Sequence, residues 1–149
     1  MDFSPEELSR TVTTSRIIEA PIEDVFDAYA NPEKIVRWWG PQGFSLINES
    51  IDLREGGHWL FVLKGPDGKE YKNHQVFARI ERPHLFIVNH VSGPVYRGVV
   101  TFNDLSNNTR VTMYWTFENP EFFTKAKEEV DKGNEGNLDR LTEVVAGRR

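Results

Sequence analysis

Histidine is the residue type here that could most readily do chemistry, because imidazole binds metals and exchanges protons near neutral pH. The chain of 149 residues has four: His58, His74, His84 and His90. None has an HxxH or HExxH spacing, so we predict no metal site. His84 follows a proline in a turn pattern, and His58 is out of phase with Trp59 on its strand. His74 and His90 remain as inward candidates that could meet across neighbouring strands.

Other catalytic patterns do not occur in the sequence. There is no cysteine, which excludes disulfides, thiol catalysis and cysteine-ligated metals, and fits a reducing compartment. No GxSxG, Walker or GxGxxG motif is found, and Gly56-Gly57 indicates a turn. Asp52 and Arg54, two residues apart on a predicted strand, are more typical of a surface pair than of an acid–base site. We therefore predict no catalytic residue and no cofactor.

The spacing of apolar residues predicts the elements that would position these side chains. Thr11–Glu19 is predicted to be a strand, followed by a short helix that ends at Ala30 and a second that begins at Pro32 after the N-cap Asn31. The second helix is predicted to carry Ile35, Trp38 and Trp39 on its apolar side and to end at residues 40–43. The period then changes to two. It predicts six strands with short connections, hence antiparallel neighbours: Phe44–Leu53, His58–Lys64, Lys69–Glu81, Leu85–Ser92, Val95–Asn103 and Arg110–Glu118.

The last thirty residues predict one long helix, with Asn119 as N-cap, Pro120 at the first position and Gly147 with Arg148-Arg149 as the stop. Its apolar stripe comprises Phe123, Val130, Leu138, Leu141 and Val145. Gly133 and Gly136 interrupt the helical run. They indicate either a kink or junction of two helices near residues 131–134, or a helix that leaves room beside its stripe for close packing or a ligand.

Composition limits the class of protein. Hydrophobic residues make up 38% and charged residues 28%, as in ordinary globular domains. The net charge of -5 argues against a nucleic-acid surface. No apolar run approaches the roughly 18 residues that cross a bilayer, and residues 1–10 have no signal-peptide core. We expect a cytoplasmic α+β protein of one domain, 1–149 with a core of about 11–146, in which the long helix covers a curved antiparallel sheet.

Aromatic and aliphatic residues alternate along the predicted strands and could line the space under that helix. Three strands have clear inward sets: Trp59, Phe61 and Leu63; Tyr96, Gly98, Val100 and Phe102; Val111, Met113, Trp115 and Phe117. In Leu85–Ser92 we take Phe86, Val88 and His90 as inward. In Lys69–Glu81 the choice lies between His74, Val76, Ala78 and Ile80 and the alternate set Tyr71, Asn73, Gln75 and Phe77.

Several of these segments resemble the activator of Hsp90 ATPase homologue 1-like family, part of the START/Bet v 1-like (SRPBCC) superfamily. The similar residues run from about Thr13 to Val145. They are Arg37-Trp38-Trp39-Gly40-Pro41 with Gly43-Phe44, Asp52-Leu53-Arg54, Gly56-Gly57, Trp59, Phe61, Gly65-Pro66-Asp67-Gly68, Gly133 and Leu138-Asp139-Arg140-Leu141. The resemblance implies a helix-grip fold: seven antiparallel strands around a long C-terminal helix, with two short helices after the first strand. It also implies a cavity that binds small hydrophobic molecules. Asn134 departs from the family pattern, where this position is often aromatic.

We predict a binder of a small hydrophobic or aromatic molecule between sheet and helix. Two alternatives remain: a cyclase- or dehydratase-like enzyme with an inward polar residue, and a co-chaperone-like or regulatory protein-interaction module. No part of the chain resembles the Hsp90-clamping domain of the eukaryotic activator, so a chaperone is the less expected partner; an edge strand could pair in a homodimer. The predicted ligand-binding residues are Trp38, Trp39, Trp59, Phe61, Leu63, His74, Val76, Phe86, His90, Tyr96, Met113, Trp115, Gly133, Asn137 and Leu141, with Asn73 as a further polar candidate.

Overall fold

The computed structural model describes residues 3–147. Its elements are α1 (Pro5–Leu8), β1 (Thr11–Ile18), α2 (Ile22–Ala30), α3 (Pro32–Ile35), β2 (Ser45–Ile51), β3 (His58–Lys64), β4 (Glu70–Glu81), β5 (Leu85–His90), β6 (Tyr96–Asp104), β7 (Thr109–Phe117) and α4 (Pro120–Val145). The seven predicted strands, the two short helices and the long final helix are thus confirmed, with strand ends displaced by one or two residues.

All seven strands form one sheet in the order β1-β7-β6-β5-β4-β3-β2, and every neighbouring pair is antiparallel. The edge strands are therefore β1 and β2. Because the sheet is curved and α4 lies on its inner side, the inward faces of β3, β6 and β7 carry the buried aromatic residues, as predicted. The fold class expected from the sequence, α+β of the helix-grip type, is confirmed.

Helix α4 begins and ends where its sequence predicts. The Asn119 side-chain oxygen accepts hydrogen bonds from the backbone N–H groups of Glu121 and Phe122, at 2.9 and 3.2 Å. Gly147 follows with a φ of 75°, a backbone conformation that favours glycine. Arg148 and Arg149, the other part of the predicted stop, lie outside the described residues. The junction of two helices near residues 131–134 is wrong, since α4 runs unbroken through both glycines.

The two halves of α4 are buried to very different degrees. Leu138 and Leu141 are fully buried and Val144 nearly so, whereas no residue of the helix before Asn134 is buried. The predicted stripe residues Phe123, Val130 and Val145 are only half-buried. The C-terminal half therefore closes onto the core, while the N-terminal half leaves open space above the sheet.

Polar contacts fix α4 against the edge strand β1. The Thr14 hydroxyl donates to the Asp131 carboxylate at 2.7 Å. One turn further along, the Arg16 guanidinium pairs with Glu135 and with Asp139, both at 2.8 Å. These contacts span the middle of the helix, so they hold its position where the packing changes from closed to open.

The tryptophan segment after α3 is held by side chains of α4. Helix α3 ends at Ile35, so the predicted second helix is shorter than expected and the tryptophans follow it in a turn. Arg140 donates to the carbonyls of Trp38 and Gly40, and the Gly40 N–H donates to Asn137 at 3.1 Å. The ring nitrogen of Trp38 donates to the Ala28 carbonyl at 2.9 Å. The segment is thereby tied to α2 and to α4.

The one-turn helix α1 was not predicted, because four residues are too short to show a period. Ser4 and Glu7 form a reciprocal capping box around Pro5. Glu7 also pairs with Arg97 of β6 at 2.9 Å, which attaches α1 to the sheet. Within residues 3–147, no helix has both the length and the apolarity required to cross a bilayer.

Candidate functional site

A cavity of about 450 Å³ lies between the sheet and the N-terminal half of α4. On its helix side it is lined by Phe122, Ala126, Glu129, Val130, Gly133, Asn134 and Asn137. On its sheet and loop side it is lined by Trp39, Gly40, Pro41, Phe44, Phe61, Leu63, Asn73, Gln75, His90, Pro94, Tyr96, Trp115 and Phe117. Apolar and aromatic side chains dominate this wall, and Glu129 is its one carboxylate among the described residues.

A stack of flat side chains forms the floor of the cavity. The rings of His90 and Tyr96 are 4.8 Å apart and nearly parallel, at 16°. Tyr96 continues the stack onto Trp115, at 5.7 Å and 19°. Trp39 also contacts Trp115, with the ring centroids 6.2 Å apart and an angle of 32° between the rings. The floor therefore offers one extended aromatic surface to whatever lies above it.

Gly133 forms an open part of the roof. A Cβ atom placed on it would have no heavy atom within 4 Å, so α4 does not need this glycine for close packing against its neighbours. A Cβ on Gly136 would lie 3.4 Å from the Arg140 guanidinium and away from the cavity. The two interpretations of these glycines were a kink or helix junction and a helix that leaves room beside its apolar stripe. The structure supports the second interpretation, at Gly133 and not at Gly136.

Two predicted residues of β4 lie on the wrong face. Trp59 pairs with Gln75 and Leu60 pairs with His74, so Gln75 shares the inward face of Trp59 and His74 points outward. His74 instead lies 2.7 Å from His58 on the outer surface. Val76 is likewise outward, and the predicted inward pairing of His74 with His90 is wrong.

A β-bulge explains why the alternation along β4 was ambiguous. The register with β5 shifts between Phe77 and Arg79, which leaves Ala78 unpaired and reverses the alternation beyond it. The inward residues are therefore Gln75 and Phe77 before the bulge and Ile80 after it. Neither alternating set read from the sequence describes the whole strand.

The remaining predicted residues divide by depth. Those on the cavity wall are Trp39, Phe61, Leu63, His90, Tyr96, Trp115, Gly133 and Asn137, together with Asn73. Those in the closed core instead, none more than 1% exposed, are Trp38, Trp59, Phe86, Met113 and Leu141. The prediction that these five residues line the cavity is wrong. The alternation of residues along a strand predicts which face of the sheet a side chain is on, but not how deeply that side chain is buried. The ring of Trp59, for example, lies beneath the wall residue Phe61, with the two ring centroids 4.2 Å apart.

The cavity wall contains buried polar atoms without a partner. Gln75 is 1% exposed, and neither its side-chain nitrogen nor its oxygen has a hydrogen-bond partner within residues 3–147. Asn134 is 3% exposed, and its side-chain nitrogen is also unpartnered. Sequence reasoning named Asn73 from the alternate set of β4 as a polar candidate, but it did not select Gln75 or Asn134.

His90 is the titratable side chain on the floor. Its Nδ1 donates to the Pro94 carbonyl at 2.7 Å, and its Nε2 lies 2.8 Å from the Asn73 side-chain oxygen. Burial lowers the pKa of His90 below its usual value near 6.5, because the imidazolium is poorly solvated there. Burial likewise raises the pKa of Tyr96, so its phenol stays neutral. Because Nδ1 is the donor in the neutral ring, Nε2 is an unprotonated acceptor, and it is enclosed by the Asn73 side-chain oxygen and by the Ser92 hydroxyl at 3.4 Å.

Across residues 3–147, no three histidine or carboxylate side chains come close enough to hold an ion.

A second depression, of about 510 Å³, lies between residues 36–46 and the C-terminal half of α4. Its wall carries Arg37, Asp139, Arg140 and Glu143, so it suits an apolar molecule less well than the cavity under Gly133.

Comparison with known proteins agrees with this architecture. The family model described as activator of Hsp90 ATPase homologue 1-like protein matches residues 19–146. No functionally curated protein is significantly similar in sequence. A protein of Nitrosomonas europaea is 21% identical over 97% of both chains, with a TM-score of 0.86. One from Arthrobacter aurescens is 24% identical over 98% of this chain and 90% of its own, with a TM-score of 0.84. At these identities the likeness establishes the fold.

Proposed function

This chain belongs to the activator of Hsp90 ATPase homologue 1-like family, and we propose that it binds one small, largely aromatic molecule between its sheet and α4. The observation that carries the proposal is the open space beside Gly133, where the roof of an aromatic cavity is left unfilled. A protein that needed only a stable core would close this gap, since each buried side chain adds roughly 1.5–3 kcal/mol.

The size and lining of the cavity match such a ligand. Small-molecule sites usually enclose about 300–1,000 Å³ and are mainly apolar, with few polar groups that fix orientation. The volume of about 450 Å³ has room for a molecule of two or three fused rings. If that molecule buried about 300 Å² of apolar surface, the gross gain would be roughly 7 kcal/mol. A gain of about 7 kcal/mol alone corresponds to a dissociation constant of about 10 μM. Lost translational freedom weakens this, so we expect dissociation constants above about 10 μM.

The two other functions have less support. An acid–base enzyme needs a proton-exchanging group that can reach the substrate, and the unprotonated Nε2 of His90 is enclosed by the side chains of Asn73 and Ser92. A protein-interaction module would be favoured by one large apolar surface. The exposed apolar side chains are instead spread over several elements, from Leu8 in α1 and Ile17 in β1 to Ile47 in β2 and Leu60 in β3.

Binding can be tested with a neutral apolar fluorophore, N-phenyl-1-naphthylamine, whose emission rises in apolar surroundings. We expect saturable enhancement with one site per chain, and displacement by small molecules extracted from the protein and identified by mass spectrometry. The test variant is Gly133→Leu, whose side chain fills the roof of the cavity and should weaken binding. The control variant is Leu60→Ala on the exposed outer face, which should bind as the wild type does. Absence of saturable binding, or binding unaffected by Gly133→Leu and lost in Leu60→Ala, would contradict the proposal.

A further inference from the structure

We propose that the natural ligand is uncharged and carries an amide-type edge, a hydrogen-bond donor beside an acceptor as in a lactam or primary carboxamide, which Gln75 recognises. This inference rests on the proposed binding function and names the chemical class of the ligand. It is carried by two side-chain amides, on opposite walls of one cavity, that have unpartnered buried atoms.

Gln75 is the central residue. It is 1% exposed on the inward face of β4, and both its Nε2 and its Oε1 lack a partner among the described residues. Buried polar atoms are nearly always hydrogen-bonded in folded proteins, so a pair of unpartnered atoms on one side chain calls for a specific explanation. A glutamine amide presents one donor and one acceptor side by side. The group that satisfies both at once is another donor–acceptor edge of the same geometry.

Neighbouring protein groups do not supply that edge. The Gln75 amide lies close enough to the Tyr96 hydroxyl for a hydrogen-bond type of interaction that lowers the Tyr96 pKa, but no hydrogen bond of normal geometry joins the two side chains. A hydroxyl that moved into place would satisfy one of the two Gln75 atoms and leave the other. The next inward residue of β4, Phe77, is apolar and fully buried.

Asn134 provides a third point on the opposite wall. It is 3% exposed on α4, lines the same cavity, and has an unpartnered Nδ2. A nitrogen donor requires an acceptor, and the carbonyl oxygen of an amide has two lone pairs. A carbonyl between sheet and helix could therefore accept from Gln75 and from Asn134, while the ligand N–H donates to the Gln75 oxygen.

The charge of the wall disfavours an anionic ligand. Among the described lining residues there is no lysine or arginine, and Glu129 adds negative charge. His90, the remaining titratable side chain that could become cationic, has a pKa lowered by burial. A carboxylate placed here would have no cation to pair with, and as an acceptor only it would leave the Gln75 oxygen unsatisfied.

The proposal is tested with four ligands on one aromatic frame: naphthalene, 2-acetylnaphthalene, 2-naphthamide and 2-naphthoate. Dissociation constants are measured by displacement of N-phenyl-1-naphthylamine and by calorimetry. We expect 2-naphthamide to bind at least tenfold more tightly than 2-acetylnaphthalene, which offers the acceptor alone, and than 2-naphthoate. In Gln75→Leu the advantage of the amide over the ketone should disappear while naphthalene still binds. In Gln75→Glu, which lacks the Nε2 donor, the affinity for 2-naphthamide should fall severalfold.

The outcomes separate the two proposals. Equal binding of all four ligands, or tightest binding of 2-naphthoate, would overturn the amide inference and leave the cavity function intact. Failure of every ligand, including naphthalene, to displace the fluorophore would instead count against the function itself. If Gln75→Leu does not fold, as judged by circular dichroism, Asn134→Leu provides a second test, in which the amide should lose at least threefold in affinity and naphthalene should not.

Discussion

Filling the cavity from its roof should strengthen the fold and abolish binding, a combination that a closed core would not produce. The change is Gly133→Leu. Leucine is better than glycine in a helix interior by about 0.8 kcal/mol. The new side chain enters space with no heavy atom within 4 Å of its Cβ. Burying it gains roughly 1.5–3 kcal/mol, less about 0.5–1 kcal/mol of side-chain entropy. The expected net stabilisation is therefore about 1.5–3 kcal/mol.

The same substitution should weaken ligand binding at least tenfold, equivalent to about 1.4 kcal/mol. Urea denaturation followed by tryptophan fluorescence measures the free energy of unfolding, and titration with N-phenyl-1-naphthylamine measures the affinity. Gly136→Ala is the matched control. It gives a helix-propensity gain of about 1 kcal/mol, but its new Cβ meets Arg140 and not the cavity.

Two results would refute this reasoning. A Gly133→Leu protein less stable than the wild type by more than about 1 kcal/mol would mean that the roof is already packed, because inserting methylenes into filled space costs about 1–3 kcal/mol. A stabilised variant that still binds the fluorophore with unchanged affinity would mean that the ligand occupies another site. The Gly136→Ala control distinguishes a general helix effect from a cavity effect, since it should alter stability alone.

Three further predictions concern the support of the cavity. Arg140→Met removes charged hydrogen bonds to the carbonyls of Trp38 and Gly40, and should lower the free energy of unfolding by about 1.5–3 kcal/mol in urea denaturation; an unchanged value would show that the loop is held by packing alone. Gly98→Val places a Cβ 3.0 Å from Val88 and 3.3 Å from Trp115, and should cost about 1–3 kcal/mol and alter Trp115 fluorescence. The pKa of His90 is lowered in the folded state, so its neutral form contributes stability that is present above pH 6.5 and lost as the pH falls through the folded-state pKa. His90→Gln should therefore reduce the loss of stability in acid, measured by urea denaturation between pH 8 and pH 5. An identical pH profile in the variant and the wild type would contradict the argument.

How much the sequence could predict depended on the length and regularity of each pattern. The inward faces of β3 and β7 were predicted correctly. In β7 the inward residues from Val111 to Phe117 alternate with Thr112, Tyr114 and Thr116, and in β3 the two aromatic residues Trp59 and Phe61 are two positions apart. Strand β4 could not be assigned in the same way, because the bulge at Ala78 reverses the alternation and no residue type there marks a bulge.

The sequence did not show how deeply each inward side chain is buried. Trp38 and Trp39 are adjacent and chemically identical, yet Trp38 is enclosed and bonded to Ala28 while Trp39 lies on the cavity wall. Which of two aromatic residues reaches a cavity depends on where the covering helix stops touching the sheet. That point is set by three-dimensional packing, and here it falls near Asn134, the first buried residue of α4.

The change of packing along α4 explains why buried polar residues occur at this point. Towards the C-terminus, Leu138 and Leu141 exclude solvent and leave no room for a guest. Asn137 lies one turn after Gly133, and its side-chain oxygen accepts hydrogen bonds from the Gly40 N–H and the Arg140 guanidinium. It therefore closes the inner end of the cavity by binding the tryptophan loop. Asn134 is the first buried residue of the helix, and its nitrogen has no such task. A purely structural asparagine there would be expected to bond to the loop as Asn137 does. An unpartnered amide nitrogen at the boundary between closed and open packing is instead what a site requires if it must hold a ligand in one orientation.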